Sequence, residues 1–247
     1  MKLYFILFMT ILTSALFATE VKLASYNVGL AHGFVSYAKE RIPFLTEQLR
    51  KSPYDILCLQ EVWRKKDVHK FINDLKQTYP HQAYPRVKNI RGDGFGPSCH
   101  PKDLFGDGKF VTCILDKCKG KSGEEKSKCI NNDCRPAMDA LATNNPGCAE
   151  ALFSSVGKSV PSALLSLINP IYKANRFSNN SQVGTILFSK YPIVSSGFED
   201  MVDNSSIVRR GIIHAIININ GKNIFVTCNH LAADLSSTIP YTSKVDS

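Results

Sequence analysis

Five stretches of the chain carry strand-forming residues in alternating or continuous apolar runs: "EVKLASYN" (Glu20 to Asn27), "DILCLQ" (Asp55 to Gln60), "VGTILFS" (Val183 to Ser189), "RGIIHAIINI" (Arg210 to Ile219) and "KNIFVTCN" (Lys222 to Asn229). The last two flank Asn220 and Gly221, the strongest local signal for a tight hairpin. Between the first two, "YAKERIPFLTEQLRKS" places Ile42, Leu45 and Leu49 on one helical face and ends before Pro53. A second helix is expected in "KDVHKFINDLKQTYP", with Val68, Phe71, Ile72 and Leu75 as its buried stripe. Strand, helix, strand, helix is the opening of an α/β layer fold.

Residues 86 to about 150 break this rhythm with Gly, Pro, charge and cysteine, and read as an elaboration stapled because it buries too little surface to hold itself. Six of the eight cysteines lie there: Cys99, Cys113, Cys118, Cys129, Cys134 and Cys148. The intervals between them are 13, 4, 10, 4 and 13 residues, a mirror-symmetric series about "KGKSGEEKSK". Mirror spacing points to a hairpin with nested pairs, Cys99 with Cys148, Cys113 with Cys134 and Cys118 with Cys129, out of the 15 possible pairings. Against it, residues five apart share no face of a helix or strand. A zinc site is the rival reading, but no C-x-x-C and no Cys/His pair at ligand spacing occurs. Cys58 and Cys228 sit inside apolar runs, as buried thiols or as a core pair. The following "ALFSSVGKSVPSALLSLINPIYKANRF" reads as one or two apolar-faced helices, interrupted at Pro161 and Pro170, that cover the sheet or touch lipid.

Length and composition set wider bounds. A chain of 247 residues with 44% hydrophobic and 10% aromatic residues fills a sizeable core. Residues 1–18 have the layout of a secretory signal: one Lys, an apolar run of about 14 residues, then small residues with a cleavage expected after Ala18. A membrane anchor is the alternative, but the run falls short of the ~20 apolar residues a span needs. Residues 19–247 are then exported, to periplasm or medium, with 29 basic against 21 acidic side chains. That surplus favours anionic surfaces, whether nucleic acid, an acidic membrane surface or a wall polymer, without choosing among them. Asn179 and Asn204 head N-x-S sequons, which matter only where the host glycosylates.

Three polar residues end predicted strands: Asn27 in "LASYN", Glu61 after "ILCLQ" and His230 in "VTCNHL". Burying an unpaired carboxylate at Glu61 costs several kcal/mol, so a positive partner is expected, and a divalent metal ion meets that need. Strand ends converging at one sheet edge are where α/β proteins place ligands. A hard oxygen ligand, an amide and a proton-transfer group together point to metal-assisted phosphoester hydrolysis. Each alone has a plainer reading, as a solvated strand end, a turn residue and a structural histidine.

In order along the chain, "LASYNVG", "DILCLQEVW", "GTILFSKYPI", "RRGII" and "VTCNHLAA" resemble the endonuclease/exonuclease/phosphatase superfamily, over about residues 21–85 and 181–235. The resemblance implies a four-layer α/β sandwich of the deoxyribonuclease I-like type, two sheets face to face with helices outside, here with a cysteine-rich insertion at about residues 90–150. It implies that Glu61 binds Mg²⁺, with Mn²⁺ or Ca²⁺ as possible substitutes, and that Gln60 fixes the strand end. Asn27 matches the family's Asn near the metal and scissile phosphate. His230 matches a His that hydrogen-bonds the phosphate or assists the leaving oxygen. Arg209 or Arg210 stands where nuclease relatives place a phosphate-contacting Arg, while His32 and His214 have no counterpart and are read as structural.

"LQEVW" and "FSKYPI" look most like the neutral sphingomyelinase branch, so the resemblance favours a phospholipid such as sphingomyelin over nucleic acid as the phosphodiester substrate. Substrate choice in such folds lives in loops. The family's mechanism also uses an Asp-x-Asn pair that orients water and a later Asp-His pair whose His is the base. Neither Gly-Asp-x-Asn nor Asp-His occurs here, and Ser247 is 17 residues beyond His230. The expectation is therefore a domain incomplete at its C-terminus, with open strand edges and uncovered apolar faces. It is either part of an enzyme or a truncated, non-catalytic binding protein on the same scaffold.

Overall fold

The computed structural model of the chain describes residues 20–32, 35, 37–85, 95–121, 123–155, 158, 160–171, 173–174, 183–201 and 210–231. The expected signal (1–18), both sequons and Arg209 lie outside them. Strand β1 (Leu23–Asn27) leads through α1 (Arg41–Arg50) to β2 (Ile56–Gln60), then α2 (Lys65–Leu75) and β3 (His81–Ala83). Helices α3 (Pro101–Leu104), α4 (Phe110–Lys117), α5 (Gly123–Asn132), α6 (Arg135–Asn144), α7 (Pro146–Phe153) and α8 (Val160–Leu167) follow. The chain returns to β4 (Ile186–Ser189), β5 (Ile193–Asp200), β6 (Gly211–Ile219) and β7 (Lys222–Asn229).

The strands form two sheets, one of order β1-β2-β4-β3 and one of order β5-β6-β7. β1 and β2 are parallel, joined by the α1 crossover; the other pairings are antiparallel. Every residue of β2 is buried because its two faces serve two cores. Leu57 and Leu59 pack with Phe188 against Ile42, Leu45 and Phe71 of α1 and α2. Ile56 and Cys58 face the opposite way, onto Ile213, Ala215 and Val226 of the second sheet. Helices, sheet and sheet thus make three consecutive layers of an α/β sandwich. Helices on the outer face of the second sheet are absent among the described residues, and Phe225 is exposed there. Among the described residues β1 is an edge strand, and it exposes Leu23 and Tyr26. No helix among the described residues is long and apolar enough to cross a membrane.

The Asn220-Gly221 hairpin forms as expected, with φ of 51° and 84° at its two turn residues, the positive pair a tight turn between twisted strands requires. β3 and β5 are additional strands. β5 carries Ser195, Ser196 and Gly197 in its middle and an irregularity in register between Ile193 and Ser195. Its strand character comes from pairing along β6, not from its own alternation.

The cysteine-rich segment is helical. All three nested pairs are present, Cys99–Cys148, Cys113–Cys134 and Cys118–Cys129, and Cys58–Cys228 is a fourth disulfide. The objection from residues five apart does not apply, because Cys118 and Cys134 lie just past the ends of α4 and α5, where the chain leaves the helical face. One expectation is corrected: α7 and α8 do not cover a sheet. Leu167, Leu164 and Leu152 pack into a separate core with the cysteines, Leu104 and Met138. Pro161 lies in the first turn of α8 rather than breaking it, since a first-turn residue has no intrahelical partner for its missing N–H.

Candidate active site

The C-terminal ends of β1, β2 and β7 and the start of β6 meet at one edge of the sandwich. Parallel register sets Asn27 opposite Gln60, one residue before Glu61. Antiparallel register sets Ile212 opposite Asn229, so Arg210 arrives beside His230. The Cys58–Cys228 disulfide ties the two sheets together three residues before Glu61 and two before His230.

Glu61 has φ of 64°, a left-handed conformation that costs a non-glycine residue about 1–2 kcal/mol. Its backbone is pinned from three directions. Val28 N–H donates to the Gln60 carbonyl at 3.1 Å, Leu30 N–H to the Glu61 carbonyl at 3.1 Å, and Val62 N–H to the Gly184 carbonyl at 3.0 Å. Gln60 Nε2 donates to Ser25 Oγ at 2.9 Å and to the Cys58 carbonyl at 3.2 Å, anchoring the strand end. Asn27 Nδ2 donates to Glu61 Oε1 at 3.0 Å, while Asn27 Oδ1 accepts from Gly29 N–H at 2.9 Å. The amide therefore orients the carboxylate and is itself oriented by the loop it opens.

His230 lies on the other side, with Nε2 3.9 Å from Glu61 Oε1. Its Nδ1 is 2.5 Å from Arg210 Nη1. Burial, reinforced by the Arg210 charge, holds the imidazolium pKa down to about 4. At pH 7 His230 is therefore neutral, so its contact with Glu61 is polar and not an ion pair. Arg210 has only protons to give, so Nδ1 accepts, and the ring proton sits on Nε2. Burial also lowers the Arg210 pKa, opposed by the nearby Glu61 charge.

Trp63 completes the site and was not singled out as functional from the sequence. Its buried ring lies 5.9 Å from the His230 ring and 5.9 Å beneath the Arg210 guanidinium, a cation–π arrangement. Gly184 makes room for it: a Cβ there would stand 2.7 Å from the indole. The available signal was position, two residues after Glu61 in "LQEVW". The structure brings Asn27, Glu61, Arg210 and His230 together; Arg209 lies outside the described residues. His32 is elsewhere, its Nε2 2.6 Å from Asp67 Oδ2 with both side chains buried. His214 stacks on Phe225 of the second sheet, centroids 6.3 Å apart.

The electrostatics give a testable result. Arg210→Met should raise the His230 pKa above 4 while leaving it below 6.5, since burial is the larger cause; the NMR titration of the His230 ring measures this. In the wild type, the unfolded chain binds one more proton than the folded chain between about pH 4 and 6.5. Stability is therefore full above pH 6.5 and is lost as pH falls through 4, on the order of 3 kcal/mol from this group.

The fold is thus a layered α/β sandwich with a polar cluster at its strand ends. No family model and no curated protein matches the chain. Among solved structures, sphingomyelinase C from Streptomyces griseocarneus is similar at 14% identity over 88% of this chain and 51% of that one, with a TM-score of 0.39. Beta toxin from Staphylococcus aureus, solved with bound magnesium ions, is similar at 15% identity over 87% and 51%, TM-score 0.39. An endonuclease/exonuclease/phosphatase family protein from Leptotrichia buccalis follows at 11% identity over 89% and 56%, TM-score 0.39. The chain spans about half the length of these structures.

Proposed function

We propose that the chain carries the metal- and phosphate-binding part of an exported Mg²⁺-dependent phosphodiesterase that hydrolyses a phospholipid phosphodiester such as sphingomyelin. The observation that supports it is the convergence of Asn27, Glu61, Arg210 and His230 from the strand ends of both sheets. Among the described residues no three His, Cys, Asp or Glu side chains stand together as a metal cage. One carboxylate with an amide beside it nevertheless fits Mg²⁺, which keeps several waters and shares its remaining positions with substrate phosphate. Glu61 would hold the ion, with Asn27 next to it; the ion supplies charge neutralisation at a phosphoryl oxygen.

The protein's own groups supply the rest of the phosphate site. Arg210 holds the His230 ring so that Nε2–H faces the Glu61 side, where a non-bridging phosphate oxygen accepts it. Being neutral at pH 7, His230 serves as a hydrogen-bond donor to the phosphate in preference to a source of a full proton. Hydrolysis adds water to phosphorus and breaks the phosphorus–oxygen bond to the leaving alcohol. The group that takes the water's proton is not among the residues of this cluster. The four disulfides agree with an oxidising compartment, and export would follow from residues 1–18.

A second reading, a secreted endonuclease, is favoured by the basic charge balance. Release of phosphocholine from sphingomyelin vesicles, run beside nicking of plasmid DNA with the whole protein and Mg²⁺, separates the two. Phosphocholine release without nicking is the expected outcome. Nicking alone would favour the nuclease, and neither reaction would leave a non-catalytic binding protein.

A further inference from the structure

The cysteine-rich helical segment has its own core, and beside it lies a partly open cavity of about 230 Å³ that His32 also borders. Its walls are apolar, with Ile114 on α4, Ile130 on α5, Met138 on α6, Phe153 on α7 and Leu164 on α8. Ile114, Ile130, Phe153 and Leu164 pack against this core, are only partly buried, and line the cavity. A helical core this small would ordinarily close over such a space, since interiors pack to crystal-like density. Here the walls are held covalently: Cys113–Cys134 fastens α4 to the turn between α5 and α6, and Cys118–Cys129 fastens the end of α4 to α5.

Two lysines, Lys126 and Lys158, also line the cavity beside Asn131, Ser155 and His32, whose Nε2 contacts Asp67 Oδ2 behind it; no Asp or Glu itself lines the cavity among the described residues. Lys158 Nζ donates to Ser166 Oγ at 3.4 Å, a neutral partner, and burial lowers the pKa of its amine. An ammonium partly removed from water, with no carboxylate lining the cavity beside it among the described residues, is costly, and an anion offsets that cost.

We propose that this cavity binds a single-chain anionic amphiphile: one alkyl chain lies among the apolar side chains, and its carboxylate meets Lys126 and Lys158. The volume suits one chain and is below that of ordinary drug-sized ligand pockets. The charge selects an anionic head over a neutral or cationic one. The site is built from residues other than Asn27, Glu61, Arg210 and His230, so it stands independently of the phosphodiesterase reading.

Calorimetric titration of the whole protein with octanoate, decanoate and dodecanoate, each below its micelle concentration, tests the site. One equivalent should bind, roughly fourfold tighter per added methylene until the cavity is filled. The Lys126→Met/Lys158→Met double variant, whose replacements keep much of the side-chain volume at the rim, should weaken dodecanoate about tenfold and leave dodecanol unchanged. Glu61→Gln should not alter binding. The proposal is overturned if dodecanoate shows no saturable binding, if dodecyltrimethylammonium binds as well, or if the double variant binds dodecanoate like the wild type.

Discussion

Glu61→Gln is expected to lower Mg²⁺-dependent phosphodiester hydrolysis by the whole protein about 10³-fold or more while leaving its fold intact. The substitution removes the single carboxylate of the cluster but keeps its shape, and Asn27 Nδ2 retains an oxygen to donate to in place of Glu61 Oε1. The backbone bonds that pin this residue, to Leu30 N–H on its carbonyl and from Val62 N–H to Gly184, do not involve the side chain. The thermal midpoint should therefore move little. Hydrolysis at the wild-type rate would place the metal elsewhere. If the protein only binds its ligand, the variant and wild type will both be inert.

Removing the Cys58–Cys228 disulfide by a double Ala substitution should cost about 2–5 kcal/mol, read as a lower urea midpoint under non-reducing conditions. The bond closes a loop of 170 residues in sequence separation, the longest of the four, and the entropy withheld from the unfolded chain grows with that length. Both sulfurs lie in the core between the sheets, so the loss also removes packing there. The same bond spaces the ends of β2 and β7, and with them Glu61 and His230. Activity should consequently fall more than the residual folded fraction explains. A midpoint within experimental error of the wild type would show that the sheets hold register without it.

Much of this arrangement was legible in the chain. The hairpin at Asn220-Gly221, β7 and the two helices α1 and α2 follow from alternation, turn chemistry and the spacing of residues such as Val68, Phe71 and Leu75. The nested cysteine pairs were readable from mirror spacing because α4 and α5 run back past each other and repeat the interval between Cys113 and Cys118 at Cys129 and Cys134. β5 was not readable, since Ser195, Ser196 and Gly197 carry no strand pattern and only β6 gives them one. The position of α7 and α8 was misjudged for a related reason. An apolar helix face shows that something covers it, and whether that is a sheet or the cysteine core depends on contacts distant in sequence.

At the site, Asn27, Glu61 and His230 were visible as polar residues closing apolar strands, while "RRGII" offered Arg209 and Arg210 without choosing between them. Neither the left-handed backbone at Glu61 nor the stack of Arg210 and His230 on Trp63 was visible. Both arise where β2 and β7 end beside the start of β6, and Gly184 admits the indole only because it has no Cβ. The lowered His230 pKa is likewise a property of that burial and of Arg210, which no run of residues expresses.

Titration of the protein with Mn²⁺, followed by NMR at the His230 ring, tests most directly whether Glu61 is the centre of a metal and phosphate site. With His230 Nε2 3.9 Å from Glu61 Oε1, an ion held by that carboxylate should broaden the His230 ring signals at substoichiometric Mn²⁺, and Glu61→Gln should abolish the effect. Sharp His230 signals in the wild type, or equal broadening in the variant, would contradict the account.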